Sequence, residues 1–265
     1  MALTLATWNI NSVRLRIGLA ERLLNEMQPD ILCLQETKTP DEFFPEAAFE
    51  ALGYRHRLVH GMKGYNGVAI LSRLPFTERL TIDRCGKADC RHSVITLEGG
   101  VELHNIYVPA GGDIPDPEAN EKFAHKLAFL DELTEYFSAP ERRSRSMVVV
   151  GDLNIAPLEH DVWSHKQLLD VVSHTPIEVE RFSKLQATAS FVDAIRHFVP
   201  PDRKLYTWWS YRAKDWELSD RGRRLDHVWV TPDLAPRLAG YEILRAARGW
   251  EKGSDHVPVV VRFDG

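Results

Sequence analysis

The sequence predicts an α/β fold built on mixed β-sheet, and three features predict it. Short runs rich in β-branched residues recur along the 265-residue chain, as at 147–150 and 257–261, and such side chains pack well on a pleated, covered surface. Between these runs lie stretches with apolar residues at helical spacing, such as Phe123, Leu127, Leu130 and Phe137. Several strand-like runs stand close enough to pair as hairpins, so strands and helices alternate irregularly. That pattern favours layered mixed sheets over a regular barrel.

In chain order, residues 3–8 alternate and read as a strand that ends in Asn9-Ile10-Asn11-Ser12. Ser12 is placed to cap a helix carrying Val13, Ile17, Ala20, Leu24 and Met27, which Pro29-Asp30 stops. Residues 31–34 form the next buried strand and close on Gln35-Glu36-Thr37-Lys38. Residues 43–52 read as helical. The Gly-rich stretch 60–67 does not match a phosphate-binding loop and reads as a turn before a strand at 68–71. Strands follow at 92–97 and 101–108, the second ending in Tyr107-Val108-Pro109, and then a helix over 120–137. Arg142-Arg143-Ser144-Arg145 is a basic turn, read as solvated surface, that leads into the strand starting at Met147. Residues 158–199 mix helix and loop. The last two strands cover 225–230, where Asp226 stands near the start, and 257–261, which Asp255 and His256 precede.

Composition sets outer limits. With no Ser/Gly-rich linker or charge block, residues 1–265 read as one domain. No stretch approaches the ~20 apolar residues of a membrane span, and the N-terminus lacks a signal peptide's basic start and apolar stretch, so a cytoplasmic protein without membrane association is expected. Three Cys without a C-x-x-C pair argue against a disulfide framework and a structural zinc site; Cys33 reads as core, and Cys85 and Cys90 near His92 fit no usual zinc spacing. A net charge of -5 means that nucleic acid would have to be gripped by a local basic patch and by bound cations.

The chemistry gathers at strand ends. In Met147-Val148-Val149-Val150-Gly151-Asp152-Leu153-Asn154 the apolar run gives way to an acid and an amide two positions apart. On extended backbone they project to one side. Read alone, Gly-Asp-x-Asn is a turn; beside Asn9, Asn11, Glu36, Tyr107, Asp226, Asp255 and His256 it becomes a candidate water-positioning centre. Carboxylate and amide oxygens without Cys favour a hard cation such as Mg²⁺ or Mn²⁺, and such ions suit phosphate esters. From Tyr206 to Arg224, Trp208, Trp209, Tyr211 and Trp216 interleave with Arg212, Lys214, Arg221, Arg223 and Arg224. Aromatic faces among cations suit stacking on bases or sugars and neutralising phosphates; a buried aromatic hairpin with solvated arginines fits the same residues.

Taken together, Trp8-Asn9-Ile10-Asn11-Ser12-Val13-Arg14, Leu34-Gln35-Glu36-Thr37-Lys38, Tyr107-Val108-Pro109, Gly151-Asp152-Leu153-Asn154, Trp208-Trp209-Ser210-Tyr211-Arg212, Arg224-Leu225-Asp226-His227 and Ser254-Asp255-His256 resemble the exonuclease III family of abasic-site endonucleases. The resemblance implies a four-layer α/β sandwich of two mixed β-sheets flanked by helices. It implies Glu36 as principal ligand of Mg²⁺, with Mn²⁺ as a substitute, and Asn9, Asn11 and Asp255 as direct or water-mediated partners. One or two ions are implied, the second held by Asp152, Asn154 and His256. Asp152 would orient or deprotonate the attacking water, Asn154 would hold Asp152 and the phosphate, and Tyr107 would bond the phosphate. His256, paired with Asp226, would either bind the phosphoryl oxygen as a cation or act as the base; the sequence leaves both open. Trp208 and Leu225 would wall a pocket for a flipped-out abasic sugar, with Arg212 and Arg224 beside them on the DNA.

The implied activity is a Mg²⁺-dependent DNA repair nuclease that cuts 5′ to an abasic site and removes 3′ nucleotides or 3′ blocking groups from duplex DNA, with no obligate protein partner. A phosphatase for small or lipid phosphates and a non-catalytic DNA-binding module are the alternatives. Three positions depart from the family pattern: Ala110 stands where Asn or Gln is common, Asp113 where mammalian relatives place an Arg, and Ser210 where bacterial members often have Asp.

Overall fold

The computed structural model describes residues 2–142 and 144–265; Arg143 of the basic turn and Met1 lie outside the described residues. The strands are β1 (Leu3–Asn9), β2 (Ile31–Gln35), β3 (His56–His60), β4 (Val68–Ser72), β5 (Phe76–Thr81), β6 (His92–Leu97) and β7 (Glu102–Tyr107). After them come β8 (Met147–Asp152), β9 (Val192–Asp193), β10 (Trp208–Trp209), β11 (Gly222–Arg223), β12 (Asp226–Val230), β13 (Leu238–Ile243) and β14 (Val259–Phe263). The helices are α1 (Ile17–Met27), α2 (Glu46–Ala51), α3 (Glu121–Ser138), α4 (His165–Leu168), α5 (Pro176–Thr188) and α6 (Trp216–Ser219).

Two six-stranded mixed sheets result, in the orders β13-β14-β1-β2-β4-β3 and β5-β6-β7-β8-β12-β9, with a separate β10-β11 ribbon. Each large sheet has one parallel pair at its centre, β1 with β2 and β7 with β8, and is otherwise antiparallel. Leu5, Ile31, Cys33 and Ile70 of one sheet meet Ile95, Leu103, Val150 and Val228 of the other in a shared core. Outside, α1 and α2 pack on the first sheet through Leu23, Leu24 and Phe49. On the second, α3 and α5 pack through Phe129, Leu133, Phe182 and Leu185. The expected four-layer sandwich is the observed one.

A polar clasp crosses the otherwise apolar interior. The Gln35 amide donates to Asn105 Oδ1 at 2.7 Å, and Asn105 Nδ2 donates to the carbonyls of Leu34 and Ala69 at 3.0 and 2.9 Å. Paired in this way, Asn105 and the Gln35 amide nitrogen escape the penalty of burial and tie sheet to sheet directly below the strand ends that carry the polar residues.

Helix α1 starts later than expected. Ser12 has φ +86° and gives its N–H to the Glu36 carbonyl at 2.7 Å, so it belongs to a turn and caps nothing. Arg16 precedes the first helical residue without a side-chain cap bond. No helix among the described residues is long and apolar enough to cross a membrane.

Candidate active site

Antiparallel and parallel pairing together bring the polar ends of six segments to one end of the sandwich. Tyr107 and Asp226 both pair with Asp152, so the ends of β7, β8 and β12 lie in register. From the facing sheet, Asn9 and Gln35 pair at the ends of β1 and β2, with Glu36 following. Three of the polar residues adopt left-handed backbone: Asn11 at φ +49°, Glu36 at +51° and Asn154 at +53°. For residues with a Cβ this region is sparsely populated and is held by the surroundings. The chain thus turns sharply as each strand ends, which aims the side chains into one cleft.

Asp152 is the centre of that cleft. Its carboxylate accepts from Asn9 Nδ2 at 2.9 Å, from the Asn154 N–H at 3.0 Å and from Asn154 Nδ2 at 3.1 Å. His256 Nε2 lies 3.6 Å from Asp152 Oδ2, and His256 Nδ1 lies 2.8 Å from Asp226 Oδ2. Thr207 gives its hydroxyl to the same Asp226 oxygen at 2.6 Å and accepts the N–H groups of Leu225 and Asp226, so a residue absent from the expected set locks the His–Asp pair. Burial pushes Asp152 up to about 7, with the charges of Asp226 and Glu36 adding to the rise and His256 opposing it. Burial works against a charged His256, but Asp226 and Asp152 outweigh it and lift the imidazole to about 10. At neutral pH the histidine is the cation of the pair.

Glu36 lies beside this centre. It accepts from Asn9 Nδ2 at 2.9 Å and from the Tyr107 hydroxyl at 2.8 Å, and its other oxygen is 2.7 Å from Lys38 Nζ. Burial raises the Glu36 carboxyl, but Lys38 and Asn9 together bring it below the usual carboxylate range. Tyr107 is held well above its ordinary value by burial and by the neighbouring charges of Glu36 and Asp152, so it keeps its proton. Asn11 joins the cluster by donating to Asp255 at 3.2 Å, and its Oδ1 accepts from Lys38 Nζ at 2.6 Å.

The donor chemistry fits a hard divalent cation. Oxygens of Glu36 and Asn11 converge on one positive charge, the Lys38 ammonium, and Asp255 stands next to Asn11. Asp152, Asp226 and His256 form a second group compact enough to hold an ion, though in it the imidazole Nδ1 already faces Asp226. Asn9 accepts the Asn11 N–H on its oxygen at 3.1 Å and meets both carboxylates as a donor.

A cavity of about 620 Å³ opens over these groups, lined by Glu36, Asp152 and Asp255 together with Trp163, Trp208, Arg221 and Arg223. Leu225 and Arg212 line it as well, as do Ala110, Asp113 and Ser210. Trp208 is fixed by donating its Nε1–H to Asp255 at 3.0 Å, and Trp208 and Arg223 are direct partners across the β10-β11 ribbon. Arg224 does not reach the cavity, contrary to expectation. It is 1% exposed and its guanidinium is bound by Asp161 and Asp193 at 2.6–3.0 Å. Arg223, Arg221 and Trp163 stand on the cavity wall instead. Cys85, Cys90 and His92 form no metal cluster among the described residues; His92 bonds to Arg84 and His104.

Residues 6–256 match the Endonuclease/Exonuclease/phosphatase family, and the chain belongs to it. Exodeoxyribonuclease III of Haemophilus influenzae is 32% identical, the alignment covering 97% of this chain and 98% of that protein. Among solved structures, an AP endonuclease from Archaeoglobus fulgidus superposes with a TM-score of 0.91 at 35% identity, covering 99% of this chain and 100% of that one. A 3′ phosphatase from Neisseria bound to a product DNA hairpin superposes at 0.90 with 31% identity, covering 99% and 100%. Within the family, this chain is a hydrolytic nuclease of the exonuclease III group.

Proposed function

We propose that the chain is a Mg²⁺-dependent DNA repair nuclease that hydrolyses the phosphodiester 5′ to an abasic site and clears 3′ nucleotides or 3′ blocking groups from duplex DNA. The observation that carries the reading is Asp152, a buried carboxylate aimed by Asn9 and Asn154 and flanked by His256, in a cavity that aromatic and cationic side chains also line. Residues 1–265 act as one catalytic domain.

Asp152, with a proton affinity matched to neutral pH, takes the proton of the attacking water. The water oxygen bonds to phosphorus, the bond from phosphorus to the 3′ oxygen breaks, and that oxygen leaves with the bonding pair and takes a proton from solvent water to become the 3′-hydroxyl. His256, kept cationic by Asp226, donates from Nε2 to a non-bridging phosphoryl oxygen. Asn154 spends its amide hydrogens on Val108 O and Asp152, so its work is to hold the base. The Tyr107 hydroxyl, protonated throughout, donates its one hydrogen to Glu36 and would bond phosphate by turning from that carboxylate. Glu36, with Asn11 and Asp255 near it, would hold Mg²⁺, which when bound neutralises phosphate and leaving-group charge. Mn²⁺ is a plausible substitute, since the ligands are hard oxygens. Trp208 and Leu225 wall the space for an extrahelical sugar. Arg212, Arg221 and Arg223 meet the phosphates that a chain of net charge -5 would otherwise repel.

The test is incubation with Mg²⁺ and a duplex carrying one abasic analogue, beside a phosphatase substrate. Cleavage 5′ to the lesion is expected; an intact duplex with the small phosphomonoester hydrolysed would point to the small-phosphate alternative and defeat this reading. Glu36→Ala should lower turnover about 10²-fold or more and recover in part at high metal. Trp208→Ala should instead narrow the preference for abasic over intact DNA, with general phosphodiesterase activity retained.

A further inference from the structure

One buried charge near the cleft has no part in the chemistry above. Lys126, on α3, is wholly excluded from solvent, and its ammonium has three partners: Asn154 O at 2.7 Å, Ala110 O at 3.3 Å and the carboxylate of Glu178, itself fully buried. Burial lowers the Lys126 proton affinity and the Glu178 charge opposes that fall. An apolar side chain would fill the same space without desolvating an ion. What it could not do is donate to two carbonyls at once. Those carbonyls belong to the two loops that carry the site. Ala110 follows the strand end at Tyr107, and Asn154 is the left-handed residue whose N–H and amide hold Asp152. Gly111, at φ +91°, packs so closely on the Lys126 stem that a Cβ there would stand 2.9 Å from Lys126 Cδ.

The support continues behind Lys126. Glu178 accepts both the Ser173 N–H, at 2.9 and 3.0 Å, and the Thr175 N–H and hydroxyl, at 3.2 and 2.6 Å, at the start of α5. Arg223, on the cavity wall, donates to Val172 O and Ser173 Oγ at 2.8 Å each. A continuous path of polar contacts therefore joins the cationic wall to the catalytic carboxylate: Arg223, Ser173, Glu178, Lys126, Asn154, Asp152.

We infer that Lys126 is a positioning residue, which by donating to the carbonyls of Asn154 and Ala110 fixes the turn that aims Asp152, with Glu178 holding the ammonium in place. The inference rests on the catalytic reading of Asp152 given above. Displacing a catalytic group by about an ångström lowers turnover on the order of 10²-fold while leaving substrate contacts elsewhere intact.

The full chain with Mg²⁺ and the abasic duplex provides the test. Removing Lys126 alone strands Glu178, so the informative variant is Lys126→Met/Glu178→Gln, which removes both charges and keeps the amide oxygen that accepts from Ser173 and Thr175. This variant should unfold cooperatively near the wild-type midpoint and lose kcat by about 10- to 100-fold, with KM changed less than about threefold. The acid limb of its pH–rate profile should shift as Asp152 is re-aimed. Glu178→Gln alone strands the Lys126 ammonium and should lower the unfolding midpoint further than the double variant does. A folded double variant with wild-type kcat, or one whose loss lies in KM alone, overturns the inference while an active wild type preserves the functional reading. An inactive wild-type chain overturns the functional reading, and this inference with it.

Discussion

At the scale of single residues, the proton balance between Asp152 and His256 decides which of them acts as base. The base must be unprotonated and the oxyanion partner protonated. With Asp152 near 7 and His256 near 10, kcat/KM should rise as pH passes about 7 and fall as it passes about 10, because the active form lacks the first proton and keeps the second. Asp226→Asn removes the charge that chiefly raises His256 and one of the two that raise Asp152, so both limbs should move to lower pH. Measured profiles whose alkaline limb stays fixed in Asp226→Asn would remove His256 from the cationic role. Residues of this kind were legible because an acid or amide at the end of an apolar run is conspicuous: Glu36, Asp152, Asp226 and His256 all gather in one cleft. Arg224 was misread because neighbours on an extended stretch face opposite ways, and a pair of arginines does not announce which one points inward. Thr207, Asn105 and Lys126 left no signal, since the side chain of each acts on partners 16 or more residues away.

At the scale of elements, the readable strands were the inner ones. The eight expected strands correspond to β1, β2, β4, β6, β7, β8, β12 and β14, while the missed β3, β5, β9 and β13 are the four edges of the two large sheets. Residues of β5 are almost all exposed and those of β3 half-buried. An edge strand covered on few sides carries no strong apolar pattern, and its pairing is set by the neighbouring strand. The central β7-β8 pair makes a sharper demand. Gly151 has φ +137°, and a Cβ there would stand 1.9 Å from Ile106 O on β7. Gly151→Ala must push the parallel strands apart one residue before Asp152. We expect a loss of at least about 2 kcal/mol in urea unfolding, together with a fall in kcat. A midpoint equal to wild type would show that the pair has slack the geometry denies.

For the whole molecule, buried histidines set the response to acid. His92, His104, His174 and His227 are all buried and all held below the usual imidazole value, in each case chiefly by burial. His227 is lowered to about 4; it lies among Phe182 and Trp229, and its Nε2 is 2.8 Å from Ile155 O. As pH falls from about 6.5 the unfolded chain takes up protons at these positions and the folded chain does not, so stability falls. For His227 alone the loss between pH 6.5 and 4 is about 3 kcal/mol. Asp152 works the other way, because its folded value of about 7 exceeds the unfolded 3.8 and the native state gains a proton over the same range. Above about 6.5 His256, lifted to about 10, gains stability as pH falls; below it His256 is protonated in both states, and the four buried histidines lose against Asp152 alone, so the slope there is downward. Below about 4.5 the lowered carboxyls of Glu36 and Glu102 steepen it, their stabilisation vanishing as they protonate. Urea midpoints measured from pH 6.5 to 4.5 should therefore fall. His227→Gln, which keeps a donor toward Ile155, should flatten the dependence; an unchanged slope in that variant would mean His227 titrates normally in the folded protein.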